Sequence, residues 1–141
     1  MSFLPNCDLQ PVPFDKPLNG FYPPQRIRIV GIANPDATRF EVDLMANSEY
    51  HFHFNPRFNE NVVVRNSTRG GNWQNEERSE SSFPFAVGRI FTIDLIAAPQ
   101  QILVNVDGQQ FLSFNCRDDP SYINHLAISG DVNIHSVHIG N

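Results

Sequence analysis

The chain reads as an all-β protein, a sandwich of two antiparallel sheets, and three observations predict it. Apolar residues recur at every second position along most of its 141 residues. Turn-forming residues interrupt these runs at close spacing. Bulky aromatics, 12 of them Phe, alternate with polar residues, which suits two sheets packed face to face. No segment carries a helical period over three turns.

Residues 1–13 are rich in Pro and are expected to form an irregular arm. Residues 14–141 then make one domain, long enough to bury a sizeable core. RIRIVGI (26–32) sets Ile27 and Ile29 on one side and Arg26, Arg28 and Val30 on the other. RFEVDLM (39–45) sets Phe40, Val42 and Leu44 against Glu41, Asp43 and Met45. IFTIDLIA (90–97), QILVNVDG (101–108), QFLSFNC (110–116), YINHLAISG (122–130) and DVNIHSVHIG (131–140) continue the pattern. Asp107-Gly108, between two alternating runs, is a hairpin signal. Asn34-Pro35-Asp36 and Gly130-Asp131 mark further turns. Asp118-Asp119-Pro120-Ser121 has room for one helical turn. In the last strand Val132 and Ile134 have the opposite parity to Val137 and Ile139. Without a bulge near Ser136, the second pair lies exposed near an edge, a surface suited to a homodimer.

The segment 49–78, EYHFHFNPRFNENVVVRNSTRGGNWQNEER, departs from a plain core strand. With 49–57 as a strand, Tyr50, Phe52 and Phe54 face the core, and His51, His53, Asn55 and Arg57 share the other face at about 7 Å intervals. Val62, Val64 and Asn66 make a second row, with Val63 and Arg65 opposite. Trp73 has the wrong parity relative to Gln74, Glu76 and Arg78, so the Gly70-Gly71-Asn72 loop or a bulge must re-aim it onto the site. Amides and charged groups beside one indole suit a sugar, because hydroxyls both donate and accept while a C–H face of the ring covers the aromatic plane.

These residues resemble the galectin signature: His53-Phe-Asn55-Pro-Arg57, Val64-Arg-Asn66 and Trp73-Gln-Asn-Glu76-Glu-Arg78. HFNPRF, and Phe83-Pro84-Phe85 followed closely by Gly88, are also similar to galectin text. The resemblance runs from about Phe14 to the C-terminus and points to a small single-domain galectin, with invertebrate members among the nearest in kind. It implies a jelly roll of the galectin and legume-lectin type, and a lectin for β-galactosides such as lactose or N-acetyllactosamine on glycoproteins or glycolipids. By the same resemblance, His53, Asn55 and Arg57 meet the galactose 4-hydroxyl, Asn66 and Glu76 the 6-hydroxyl, and Trp73 stacks on the ring. Arg57, Glu76 and Arg78 meet the next sugar, Val64 supports the site, and Glu60, three residues after Arg57, matches an acidic position that orients the arginines in some members. Single-domain galectins often pair two-fold through their terminal strands, and a homodimer would cross-link glycans. The segment between Arg57 and Val64 is shorter than in several galectins, so less wall stands beside the second sugar.

Competing chemistries fit less well. A glycosidase needs a carboxyl group with a raised pKa, but Glu76 is expected between Arg57 and Arg78, whose charge favours its ionised form. His51-x-His53, His135 and His138 bring no third ligand at metal spacing, so no metal or other cofactor is expected; His51 reads as a solvated strand residue. A ligand-free sandwich has no use for Arg and Glu converging on one face. A net charge of −5 argues against nucleic acid, and no apolar run is long enough for membrane insertion. The N-terminus has no basic and apolar leader. Cys7 and Cys116 make no disulfide framework. Both features predict cytoplasmic synthesis with free thiols, action outside the cell then requiring non-classical secretion. Asn66-Ser67-Thr68, a glycosylation sequon, points weakly the same way.

Overall fold

The computed structural model describes residues 9–78 and 82–141, so Cys7 and most of the expected N-terminal arm lie outside it. Twelve strands follow one another: β1 Phe14–Pro17, β2 Arg26–Ala33, β3 Phe40–Ala46, β4 Glu49–Arg57, β5 Val62–Asn66, β6 Thr68–Arg69, β7 Asn72–Trp73, β8 Ile90–Ala98, β9 Gln101–Val106, β10 Gln109–Asn115, β11 His125–Gly130 and β12 Val132–Gly140. They form two five-stranded antiparallel sheets, ordered β1-β11-β3-β4-β5 and β10-β9-β8-β2-β12, with β6 and β7 as a separate hairpin. The all-β expectation holds. The strand expected from Tyr122 starts at His125, because Pro120–Tyr122 form one 3-10 turn; Asp119 caps it by accepting from Ser121 N.

Alternation explains the core. Ile27 and Ile29 of β2, Val42 and Leu44 of β3, and Phe52 and Phe54 of β4 are all fully buried. Aromatic rings carry the contact between the sheets. Phe40 stacks on Phe91 with centroids 5.2 Å apart, and Phe52 meets Phe114 at 4.7 Å. Each such ring contributes about 1.5–3 kcal/mol by leaving water. At the β11–β12 turn Gly130 takes φ +102°, and a Cβ there would come within 2.6 Å of Phe40 Cα, so only glycine fits.

Besides a register shift at Phe111 in β10, two bulges change which way the side chains discussed above point. Ile134 pairs with Gly31, but Ser136 pairs with Val30, so His135 is an extra residue in β12. Beyond it Val137 and Ile139 lie opposite Ile29 and Ile27 and pack against the core. The exposed apolar edge considered from the sequence therefore does not form. The second bulge lies in β4. Leu44 pairs with Phe52 and Met45 with Tyr50, leaving His51 as the extra residue.

Candidate functional site

A cavity of about 320 Å³ opens on the outer face of the β3-β4-β5 side, lined by Arg39, His53, Arg57, Val64, Asn66, Trp73, Gln74 and Glu76. Strand pairing puts the row together: His53 lies opposite Asn66, and Asn55 opposite Val64. Outside the bulge the side chains follow the alternation expected from the sequence.

Each polar group of the row is anchored from behind. His53 Nδ1 lies 2.6 Å from Asp43 Oδ1. With Asp43 ionised, the proton must sit on Nδ1, which leaves Nε2 as an acceptor. Burial pushes the Asp43 carboxyl above its usual range, while the bond to His53 works the other way. Asn55 is fully buried; its Nδ2 donates to Phe40 O at 2.8 Å and its Oδ1 accepts from Arg57 Nε at 2.9 Å. Its reach toward the cavity passes through Arg57.

Arg57 does not pair with Glu76, as the sequence suggested. Its Nη1 donates to Glu60 Oε2 at 3.2 Å, and Arg78 Nη1 donates to Glu60 Oε1 at 2.7 Å. Arg78 Nε in turn donates to Glu76 Oε2 at 2.8 Å. Glu60 is thus the bridge between the two arginines, and their hydrogen bonds, first Arg78's and then Arg57's, hold its carboxyl below the usual range.

Trp73 arrives on the β6–β7 hairpin, whose turn residues Gly70 and Gly71 both have positive φ. This turn supplies the re-aiming that its parity required. The indole is half exposed, with the rings of Tyr50 and His53 each 4.8 Å away centroid to centroid. Glu49 clamps the hairpin: it accepts from Thr68 Oγ1 at 2.6 Å and from Gly71 N at 3.1 Å. Those bonds, Thr68's first, hold the Glu49 carboxyl below its usual range.

The bulge at His51 overturns two expectations. Tyr50, assigned to the core, pairs with Met45 and turns to the site face, where it backs Trp73. His51, assigned to the polar row and to solvent, leaves that row and is buried at 4 % exposure. Burial lowers its pKa, and the nearby Asp118 and Asp119 offset part of that.

Asn66 lines the cavity but is only 3 % exposed. Its Oδ1 accepts from Ser67 N at 2.8 Å and from Arg117 Nη1 at 3.0 Å, and its Nδ2 donates to Gln74 O at 3.1 Å. Sequence reasoning missed Arg39, Asp43, Gln74, Tyr50 and Arg117. Alternation on β3 could have found Arg39 and Asp43, which share the site face with the row. Nothing local marks Arg117, which lies 51 residues from Asn66. Cys116 is half-buried and its thiol is pushed up to about 11, far from a nucleophile at neutral pH. Among the described residues no three His, Cys, Asp or Glu side chains gather as a metal set, and no helix is long and apolar enough to cross a membrane.

The chain is similar to known proteins in sequence and in fold. The sequence pattern of the galactoside-binding lectin family matches residues 13–139. Galectin-3 of Oryctolagus cuniculus is 41% identical over 131 residues, covering 89% of this chain and 54% of that protein. A 32 kDa beta-galactoside-binding lectin of Caenorhabditis elegans is 38% identical over 131 residues, covering 92% and 47%. The chain spans about half the length of the curated relatives it matches. The crystal structure of the Caenorhabditis elegans galectin LEC-6 superposes with a TM-score of 0.89 at 32% identity, covering 94% of each chain.

Proposed function

The chain belongs to the galectin family of galactoside-binding lectins, and from that premise we propose that it binds β-galactosides in the cavity beside Trp73. Residues 14–141 act as a carbohydrate-recognition domain. The observation that carries this reading is the convergence of His53, Arg57, Asn66, Glu76 and a half-exposed indole on one cavity. A galactose ring lays its C–H face on Trp73. Its axial 4-hydroxyl donates to His53 Nε2 and accepts from Arg57, which Asn55 and Glu60 hold in place. Its 6-hydroxyl accepts from Asn66 Nδ2 and donates to Glu76. The neighbouring sugar meets Arg57, Glu76 and Arg78, and Val64 forms the cavity floor.

Binding without turnover fits the electrostatics. Glu60, the carboxylate at the centre of the charge chain, is held ionised by two arginines, the reverse of what a general acid needs. The partners are galactosylated glycoproteins or glycolipids, and neither nucleic acid nor membrane insertion enters the reading. Pairing into a glycan-cross-linking homodimer rests on β12, a nine-residue strand at the edge of its sheet that Gln10 bridges only at Ile134, rather than on Val137 and Ile139. Synthesis in the cytosol and non-classical export complete the proposal.

The test is the emission of Trp73, the one tryptophan in the sequence. Titration with lactose changes the emission and saturates at one site per chain. An unchanged spectrum together with no retention on immobilised lactose would overturn the proposal.

A further inference from the structure

Arg117 stands outside every sequence motif of the site, on the loop after β10, and points back into it. Its Nη1 donates to Asn66 Oδ1 and to Ser67 Oγ, each at 3.0 Å. Its Nη2 donates to Asn75 O at 2.7 Å and to Glu77 Oε2 at 2.8 Å. The guanidinium carbon lies 5.1 Å from the centroid of the core ring Phe114, which limits its movement. One planar fork therefore joins β5, the segment after Trp73 and the core.

We infer that Arg117 is a positioning residue that makes the site read the sugar's 6-hydroxyl, an inference that rests on the galactoside reading above. Two consequences of the geometry carry it. The first concerns the sense of the Asn66 amide. Ser67 N–H and Arg117 together occupy both lone pairs of Oδ1. The amide group left to face the cavity is then Nδ2, with one N–H used by Gln74 O and the other available. Asn66 can only donate to a ligand. Without Arg117 the oxygen regains acceptor capacity and the amide loses one of the three hydrogen bonds that fix its sense.

The second consequence concerns Glu76. Arg117 grips its neighbours on both sides, the carbonyl of Asn75 and the carboxylate of Glu77. Backbone bonds between Arg65 and Glu77, at 2.9 and 2.8 Å, tie the same segment to β5. Glu76 is thereby held across the cavity from Asn66, as an acceptor facing a donor. A hydroxyl, which accepts with one lone pair and donates its proton, completes that pair; a methyl group satisfies neither. Lysine cannot substitute for the fork, because its point charge lacks the parallel N–H pairs that reach both sides at once.

The experiment compares lactose with 6′-deoxylactose, which lacks only the galactose 6-hydroxyl, by titration calorimetry on the full chain. Two hydrogen bonds of ordinary net value make the wild type prefer lactose by about tenfold. In Arg117→Lys that preference collapses to about twofold or less, while affinity for 6′-deoxylactose changes by less than about threefold. Glu77→Gln, at the exposed side of the same fork, lowers the preference in the same direction and serves if Arg117→Lys does not fold. An equal loss for both sugars would assign Arg117 a general structural role and overturn the inference. So would an undiminished tenfold preference in the variants. If the wild type binds both sugars equally, the 6-hydroxyl is not read and the inference falls while the galactoside reading stands; if it binds neither, both fall.

Discussion

His53, Asn55 and Arg57 stand on one regular strand, each fixed by a near neighbour in the sheet: Asp43, the carbonyl of Phe40, and Asn55 itself. Trp73, Gln74 and Glu76 stand on a two-residue strand and the irregular run after it, fixed by residues from elsewhere in the chain: Glu49 beneath the hairpin and Arg117 behind the loop. The two halves of one cavity are thus built by different means. In the first, alternation along a strand places the groups and burial stiffens them. In the second, the backbone provides little and a few charged hydrogen bonds do the placing. Loss of a row residue should therefore abolish specific contacts without loosening the rest, whereas loss of a remote anchor should weaken the loop half by degrees.

The largest effect expected is that of Arg57→Ala. It removes the proposed ligand donor and strands the side chains of Asn55 and Glu60, and charged hydrogen bonds of this kind carry about 1.5–3 kcal/mol. Lactose affinity should fall by about a hundredfold in calorimetry, with the melting temperature little changed. A loss matched by a general drop in stability would show that the row is not independently stiff. Trp73→Ala removes the stacking surface but no anchor. Its expected cost is about 1–3 kcal/mol of binding from lost apolar contact, and no change in binding would remove the indole from the account.

Smaller effects probe the anchors. Glu49→Ala frees Thr68 Oγ1 and the Gly71 N–H, the bonds that close the hairpin under Trp73. Lactose affinity should weaken by about three- to tenfold, the scale of one or two hydrogen bonds, with the emission of Trp73 shifting even in the free protein. An unshifted spectrum would show that the glycine turn holds the indole unaided. The smallest effect concerns His51, at the bulge where the regular strand ends. Burial lowers its folded pKa, so below about pH 6.5 the unfolded chain takes up a proton that the folded chain resists. Stability should fall as pH drops from there toward the folded value, by about 2–4 °C in melting temperature. His51→Phe should lose that part of the slope, and an identical slope in both proteins would contradict it.

The same division decided what the sequence could reveal. Period-two alternation placed Ile27, Ile29, Phe52 and Phe54 inward and His53 and Arg57 outward without reference to anything distant. It failed where one residue was inserted. A bulge at His51 sends Tyr50 to the site, and a bulge at His135 turns Val137 and Ile139 to the core, because every side chain beyond an inserted residue changes face. It also could not see pairings made across long separations. Alternation set Glu76 between the two arginines, whereas Glu60, which the family resemblance marked as orienting them, is the carboxylate that bridges Arg57 to Arg78, 18 residues further on. Arg117 meets Asn66 only because β10 ends beside β5 in the folded sandwich.

The central claim is that the sheet-built row reads one stereocentre, the axial 4-hydroxyl of galactose. Lactose and cellobiose share linkage and size and differ only at that centre in the non-reducing ring. With cellobiose stacked on Trp73, the equatorial hydroxyl points away from His53 and Arg57, and two or three hydrogen bonds are lost. Calorimetry at neutral pH should show lactose binding about a hundredfold more tightly than cellobiose, the product of those bonds at their usual net value. Comparable affinity for the two disaccharides would contradict the account, because the row would then be bound by a sugar whose defining hydroxyl it does not touch.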